Sequence, residues 1–141
     1  METHTDNCIF CNIINNKAPC EKIYEDDQVM CIKDINPAST YHYLILPKRH
    51  IRNAKELKSD DAELYEKMIS TMDTILKEQG LNKQSTRAGF HWPPFNTVHH
   101  LHLHVISPIC DMSFKNRILF AYNSYWFVNT DYVKSYLEGR K

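Results

Sequence analysis

Residues 98–106 read Val98-His99-His100-Leu101-His102-Leu103-His104-Val105-Ile106. Half of the chain's eight histidines stand in this stretch. Side chains alternate across a β-strand, so His100, His102 and His104 share one face while Leu101, Leu103 and Val105 share the other. The apolar face belongs to a core. This predicts a strand over Val98–Ile106 whose three imidazoles line an exposed cleft, with His99 on the core side or at the rim. Three imidazoles on one face can hold a metal, because three histidines form a zinc-hydrolase ligand set. They can also bind and attack phosphate, because imidazole is nucleophilic near neutral pH and donates once protonated. Alternation alone leaves both chemistries open.

Outward from this strand, the rest of the chain reads as short elements around one long helix. Ile9–Asn15 has helical apolar spacing and is closed by Lys17-Ala18-Pro19, because proline disfavours helix in the residue before it. Ile23-Tyr24 and Gln28–Ile32 read as a hairpin around Glu25-Asp26-Asp27, and Tyr41–Leu46 as a third strand ended by Pro47. Ser59–Gln79 is the clearest helix. Ser59 caps it, Asp60, Asp61 and Glu63 suit the positive end of its dipole, and Leu64, Tyr65, Met68, Ile69, Met72, Ile75 and Leu76 form one stripe. Gly80 ends it. Thr86–Phe90 reads as a strand leading into the stiff Trp92-Pro93-Pro94-Phe95 loop. From Phe114 to the end, an aromatic segment, Tyr122–Val128, precedes a short helix over Thr130–Leu137. The pattern predicts an α+β fold: an antiparallel sheet of about five strands, one long helix and a short N-terminal helix. Residues 1–7 read as a loose end, and 8–141 as one domain with a C-terminal tail from about residue 112.

Seventeen basic residues balance seventeen acidic ones. A protein that grips nucleic acid through its phosphates usually carries a basic excess, so nucleic acid is not an expected partner, whereas a single-nucleotide pocket remains compatible. No apolar run reaches the length of a membrane span, and the polar start has no signal-peptide pattern; the expected address is cytosolic or nuclear. Five cysteines, an odd count, argue against a disulfide framework in a reducing compartment. Cys8 and Cys11 form a C-x-x-C pair. Cys20, Cys31 and Cys110 read as packing residues, and His4 and His91 as surface residues.

His100-Leu101-His102-Leu103-His104-Val105-Ile106 resembles the hallmark of the histidine triad family, three histidines alternating with apolar residues. Cys8-Ile9-Phe10-Cys11, Tyr24-Glu25-Asp26-Asp27, Lys33-Asp34-Ile35-Asn36-Pro37 and Leu44-Ile45-Leu46-Pro47-Lys48-Arg49-His50 resemble the Hint branch of that family, in the same order. The resemblance spans about residues 8–107. It implies the family's α+β fold, a homodimer, and hydrolysis of AMP joined to an amine or another leaving group, including adenylated lysine and acyl-AMP. It implies that His102 attacks the α-phosphate, that His104 contacts the phosphate and assists the leaving group, and that His100 orients its neighbours. His42 matches a fourth family histidine. Asp34, next to Ile35, matches the residue that holds the ribose hydroxyls, and the adenine is expected among Ile9, Phe10, Ile13 and Leu44.

Departures from the pattern accompany these matches. Gly89 stands where Hint-type members carry asparagine, and Phe95-Asn96-Thr97 replaces a Gly-Gln-Ser/Thr stretch. Asn96 and Thr97 retain groups able to reach phosphate and leaving group. No cofactor is required under this resemblance. A structural zinc on Cys8, Cys11, His50 and His100 is the candidate metal, since some bacterial relatives use the matching residues. The segment after the triad also resembles the catalytic domain of aprataxin, so removal of AMP from DNA 5′ ends is the alternative activity. A non-catalytic nucleotide-binding dimer is the other alternative.

Overall fold

The elements follow from apolar runs separated by residues that turn the chain. In the computed structural model, which describes residues 8–95, 98–122 and 124–139, helix α1 spans Ile9–Ile14. Strands β1 (Lys22–Glu25) and β2 (Val29–Lys33) form the expected hairpin. Asp26 shapes its turn by accepting the Gln28 and Val29 N–H groups on one oxygen, at 2.8 and 3.0 Å. Strand β3 is Tyr41–Pro47, and helix α2 is Ala62–Glu78, preceded by a 3₁₀ turn over Ser59–Asp61. Strands β4 (Arg87–His91) and β5 (Leu103–Ser107) follow, then α3 (Phe114–Leu119), β6 (Phe127–Asn129) and α4 (Thr130–Glu138).

Among the described residues the sheet has six strands, in the order β1-β2-β3-β5-β4-β6, with every neighbouring pair antiparallel. Sequence reasoning predicted about five strands, the long helix, a short N-terminal helix and a short helix over Thr130–Leu137, the last of which is α4. The sixth strand comes from three residues of the aromatic tail, too few to show a period of two. Alternation gives each strand two different faces. On one, Val29, Cys31, Tyr43, Ile45, Leu103, Val105 and Phe90 pack against the stripe of α2 and against Val133 and Leu137 of α4. On the other, Met30, Ile32, Leu44 and Leu46 receive Phe10 and Ile13 of α1. Farther along that second face, Ile106 meets Phe120 and Phe127 from the tail. Residues 1–7, expected to be loose, lie outside the described residues.

Candidate active site

The predicted strand over Val98–Ile106 is shorter than expected. Only His104 of the three alternating histidines lies in β5, and residues 98–102 approach it as an irregular segment. Leu101 N–H bonds Ile51 C=O at 2.7 Å, which ties this segment to the chain after β3 rather than to a sheet partner. The three imidazoles consequently do not line one exposed cleft. His100 and His104 are buried and His102 is half-buried, while His99 is exposed. His100 and His102 are pulled in different directions, and their partners reveal their protonation.

His102 Nδ1 lies 2.7 Å from the His100 carbonyl. A carbonyl only accepts, so Nδ1 carries the proton and Nε2 keeps its lone pair. Ala38 N–H donates to His42 Nδ1 at 2.9 Å, so the proton of His42 sits on Nε2. That group donates to His104 Nδ1 at 2.9 Å, which leaves the proton of His104 on Nε2. His104 Nε2 is buried with no partner among the described residues, a donor held ready. Asp34 Oδ2 lies 3.4 Å from His42 Nε2, and Asp34 Oδ1 accepts the Asn36 N–H at 2.8 Å. His42 stands directly opposite Ile106 in the β3–β5 register, and Leu44 opposite His104, so all four side chains share one face.

Burial keeps these imidazoles neutral. It pulls His42 down to about 4 against the opposing pull of Asp34. It also lowers His102 and His104, and neighbouring imidazoles push His104 well below the ordinary histidine value. For stability the sign follows from proton uptake. Above an unfolded value of about 6.5 neither state protonates His42, whereas between 6.5 and 4 only the unfolded chain does. Stability is therefore full above pH 6.5 and falls as the pH drops, by about 3 kcal/mol at pH 4 from His42 alone. Thermal melting across this range measures the effect; a level melting temperature would contradict it.

The second grouping is Cys8, Cys11, His50 and His100. His100 Nε2–H donates to Pro47 C=O at 2.9 Å, so its Nδ1 turns a lone pair toward the other three. Cys8 Sγ lies 3.3 Å from that nitrogen, Cys11 Sγ 3.5 Å and His50 Nδ1 3.1 Å. Zn–N bonds of about 2.0–2.1 Å and Zn–S bonds of about 2.3 Å give tetrahedral edges of roughly 3.3–3.8 Å, close to these separations. The Pro47 bond is the outer support that a metal-ligating histidine normally has. The donor set thus fits a closed Cys₂His₂ metal site. Asp34, His42 and His104 also lie close together, but Ala38 holds the His42 lone pair on Nδ1, away from the other two. No converging set of His100, His102 and His104 occurs among the described residues, which removes the three-histidine metal arrangement.

Phe10 packs edge-on to His102 at 5.0 Å, with Ile13 and Leu44 in the same apolar cluster. Ile9 is 47% exposed, and Ile35 projects from the surface at 89%. Asn96 and Thr97 lie outside the described residues. His91 and Cys110 differ from expectation. Cys110 is exposed, whereas burial pushes the Cys31 thiol up to about 12. His91 is no surface residue: its ring lies 5.1 Å from His104, 4.9 Å from Phe120 and 5.1 Å from Phe127. Alternation along β4 was the available signal, since Gly89 pairs with His104 and His91 follows two residues later on the same face.

Gly89 itself is explained by the tail. A Cβ there would lie 2.3 Å from Val128 O and 2.8 Å from Phe127 Cε2, so β6 has taken the space of a side chain.

A family model described as "Scavenger mRNA decapping enzyme C-term binding" matches residues 7–119. The mouse (Mus musculus) "Adenosine 5'-monophosphoramidase HINT3" is 38% identical over 133 residues, covering 92% of this chain and 81% of the relative. The chain belongs to the histidine triad family. A solved "HIT family hydrolase" from Clostridium thermocellum shares this histidine triad fold with a TM-score of 0.69 and 35% identity, over 73% of this chain and 91% of that one. Aprataxin of Danio rerio is 36% identical over 123 residues, which cover 85% of this chain but 37% of aprataxin. The tail strand β6 and helix α4 lie beyond the stretch that the family model matches.

Proposed function

We propose that the protein is a nucleotide hydrolase that releases AMP from adenosine 5′-phosphoramidates, including AMP-lysine, and from acyl-AMP. The observation that carries this reading is the protonation pattern of the site: a neutral His102 with its lone pair on Nε2, beside a buried His104 Nε2–H with no partner among the described residues. The adenine rests on Ile9, Phe10, Ile13 and Leu44, with Ile35 at the rim, and Asp34 accepts the ribose hydroxyls. Asn96 and Thr97 are read as the residues that bind the phosphate and the leaving group.

His102 Nε2 attacks the α-phosphorus and forms an N–P bond as the P–N bond to the leaving amine breaks. The amine departs with that electron pair and takes a proton from solvent, while the neutral His104 Nε2–H donates a hydrogen bond to the phosphate oxygen that gains charge. His42 fixes the ring of His104, and His100 holds Nδ1–H of His102 while charge develops on it. Water then attacks phosphorus and gives a proton to solvent as the N–P bond breaks, releasing AMP and returning the electron pair to His102 Nε2. Because the attack needs neutral His102, turnover should be level from neutral pH upward and fall only below the ordinary histidine range. The direct test is AMP release from adenosine 5′-phosphoramidate followed by chromatography; no release by the full chain would overturn the reading.

Cys8, Cys11, His50 and His100 are read as ligands of a structural zinc, which supplies a rigid cross-link and no catalytic position. It would fasten α1, under the adenine, to the segment that carries His102. Elemental analysis should find about one zinc per chain, and Cys11→Ser should lower the melting temperature by roughly ten degrees or more. Zinc-free protein with unchanged melting would remove the zinc. No further cofactor is required. We read the working form as a homodimer in the cytosol or nucleus; among the described residues no helix is long and apolar enough to cross a membrane.

A second reading, removal of AMP from DNA 5′ ends, is favoured by the similarity to aprataxin. The balanced charge disfavours it. Salt-sensitive deadenylation of nicked DNA faster than of the phosphoramidate would put it first.

A further inference from the structure

Helix α3 contains no buried residue. Phe114, Ile118 and Leu119 are all exposed, so apolar packing of its own residues does not hold it in place. Its C-terminal end is held by side-chain donors instead. Trp126 Nε1–H donates to Ile118 C=O at 2.7 Å, His91 Nε2–H to Leu119 C=O at 3.0 Å, and Arg87 Nη1 to Phe120 C=O at 2.8 Å. Carbonyls at a helix C-terminus lack helical partners, and these three donors satisfy them in succession. The next residue, Phe120, is buried with its ring 5.0 Å from His104 and 5.6 Å from His42. Of the three donors, His91 is the one whose ring also packs against His104, edge-on at 5.1 Å.

We propose that His91 is a positioning residue for the reaction: it joins the end of α3 to the triad and so keeps Phe120 and Phe127 pressed on His104. The inference rests on the phosphoramidase reading, because the quantity it protects is the aim of His104 Nε2–H. Donation to Leu119 leaves His91 Nδ1 without a proton, so the residue holds position and supplies no proton to the substrate. Losing the bond lets Phe120 shift, and His104 with it. A misplacement of about an ångström at a reacting group costs up to a hundred-fold in rate.

His91→Phe keeps an aromatic ring but no donor, whereas His91→Gln keeps a donor near Nε2 but no ring. With adenosine 5′-phosphoramidate as probe, His91→Phe should lower kcat about ten- to a hundred-fold and leave KM within about twofold. Amide hydrogen exchange over residues 117–121 should quicken by up to about tenfold, the worth of one hydrogen bond. His91→Gln should recover most of both. A His91→Phe variant with parental kcat would overturn the proposal. So would equal losses in the two variants that track melting temperature, which mark simple packing. If the parent chain itself releases no AMP, the phosphoramidase reading fails instead, and the link from His91 to α3 is judged by exchange alone.

Discussion

Replacing His102 with alanine should lower AMP release from adenosine 5′-phosphoramidate by roughly four orders of magnitude or more. The size of the effect comes from what the residue supplies. His102 has one proton donor, spent on the His100 carbonyl, and one lone pair, on Nε2. Alanine removes the lone pair, and the neighbouring imidazoles offer no substitute. His104 carries its proton on Nε2 and accepts from His42 on Nδ1, and His100 Nε2–H is tied to Pro47. His102 is half-buried and packs mainly on Phe10, so the variant should fold and bind AMP within several-fold of the parent. Single-turnover measurement separates the outcomes. A variant that still releases AMP within about tenfold of the parent places the nucleophile elsewhere.

The second large effect is structural. Gly89→Ala should destabilise the protein by about 2–4 kcal/mol and lower its melting temperature by roughly ten degrees. The obstacle to a Cβ is a backbone atom, Val128 O at 2.3 Å, as well as the Phe127 ring. A flexible side chain could swing aside; a carbonyl in a paired strand moves only with its strand. The β4–β6 register, Gly89 to Asn129, Phe90 to Val128 and His91 to Phe127, would have to part. Phe127 would leave His91 and His104, so AMP release should fall in the same variant. Restoring the asparagine of the Hint branch by Gly89→Asn should be at least as harmful. An alanine variant that melts within a degree or two of the parent would show that β6 yields easily.

The stripe from Leu64 to Leu76 made α2 legible because its burial is one-sided, alternation gave the core face of β5, and apolar runs bounded by turn residues gave β2 and β3, which are buried on both faces. The residues that the family resemblance named around Phe10 do share one apolar cluster, and Cys8, Cys11, His50 and His100 do converge. Strict alternation misled at His100 and His102. Both precede the strand, and the bond from Leu101 to Ile51, with the cysteines, orients them. The tail was least legible. Phe120 and Phe127 act through ring contacts with histidines sixteen or more residues away, and α3 is held by two donors from β4 and one from the tail. Pairings of that kind leave no periodic trace.

The tail also straddles the sheet. Val133 and Leu137 of α4 enter the core on one face, where Tyr65 of α2 donates to Thr130 C=O at 2.6 Å, while Phe120 and Phe127 lie on the other. Peeling it away would expose both clusters together, which makes a partial opening of this end nearly as costly as complete unfolding. Heat inactivation and loss of the fold should then coincide in a single transition, with the chemistry failing only when the scaffold does.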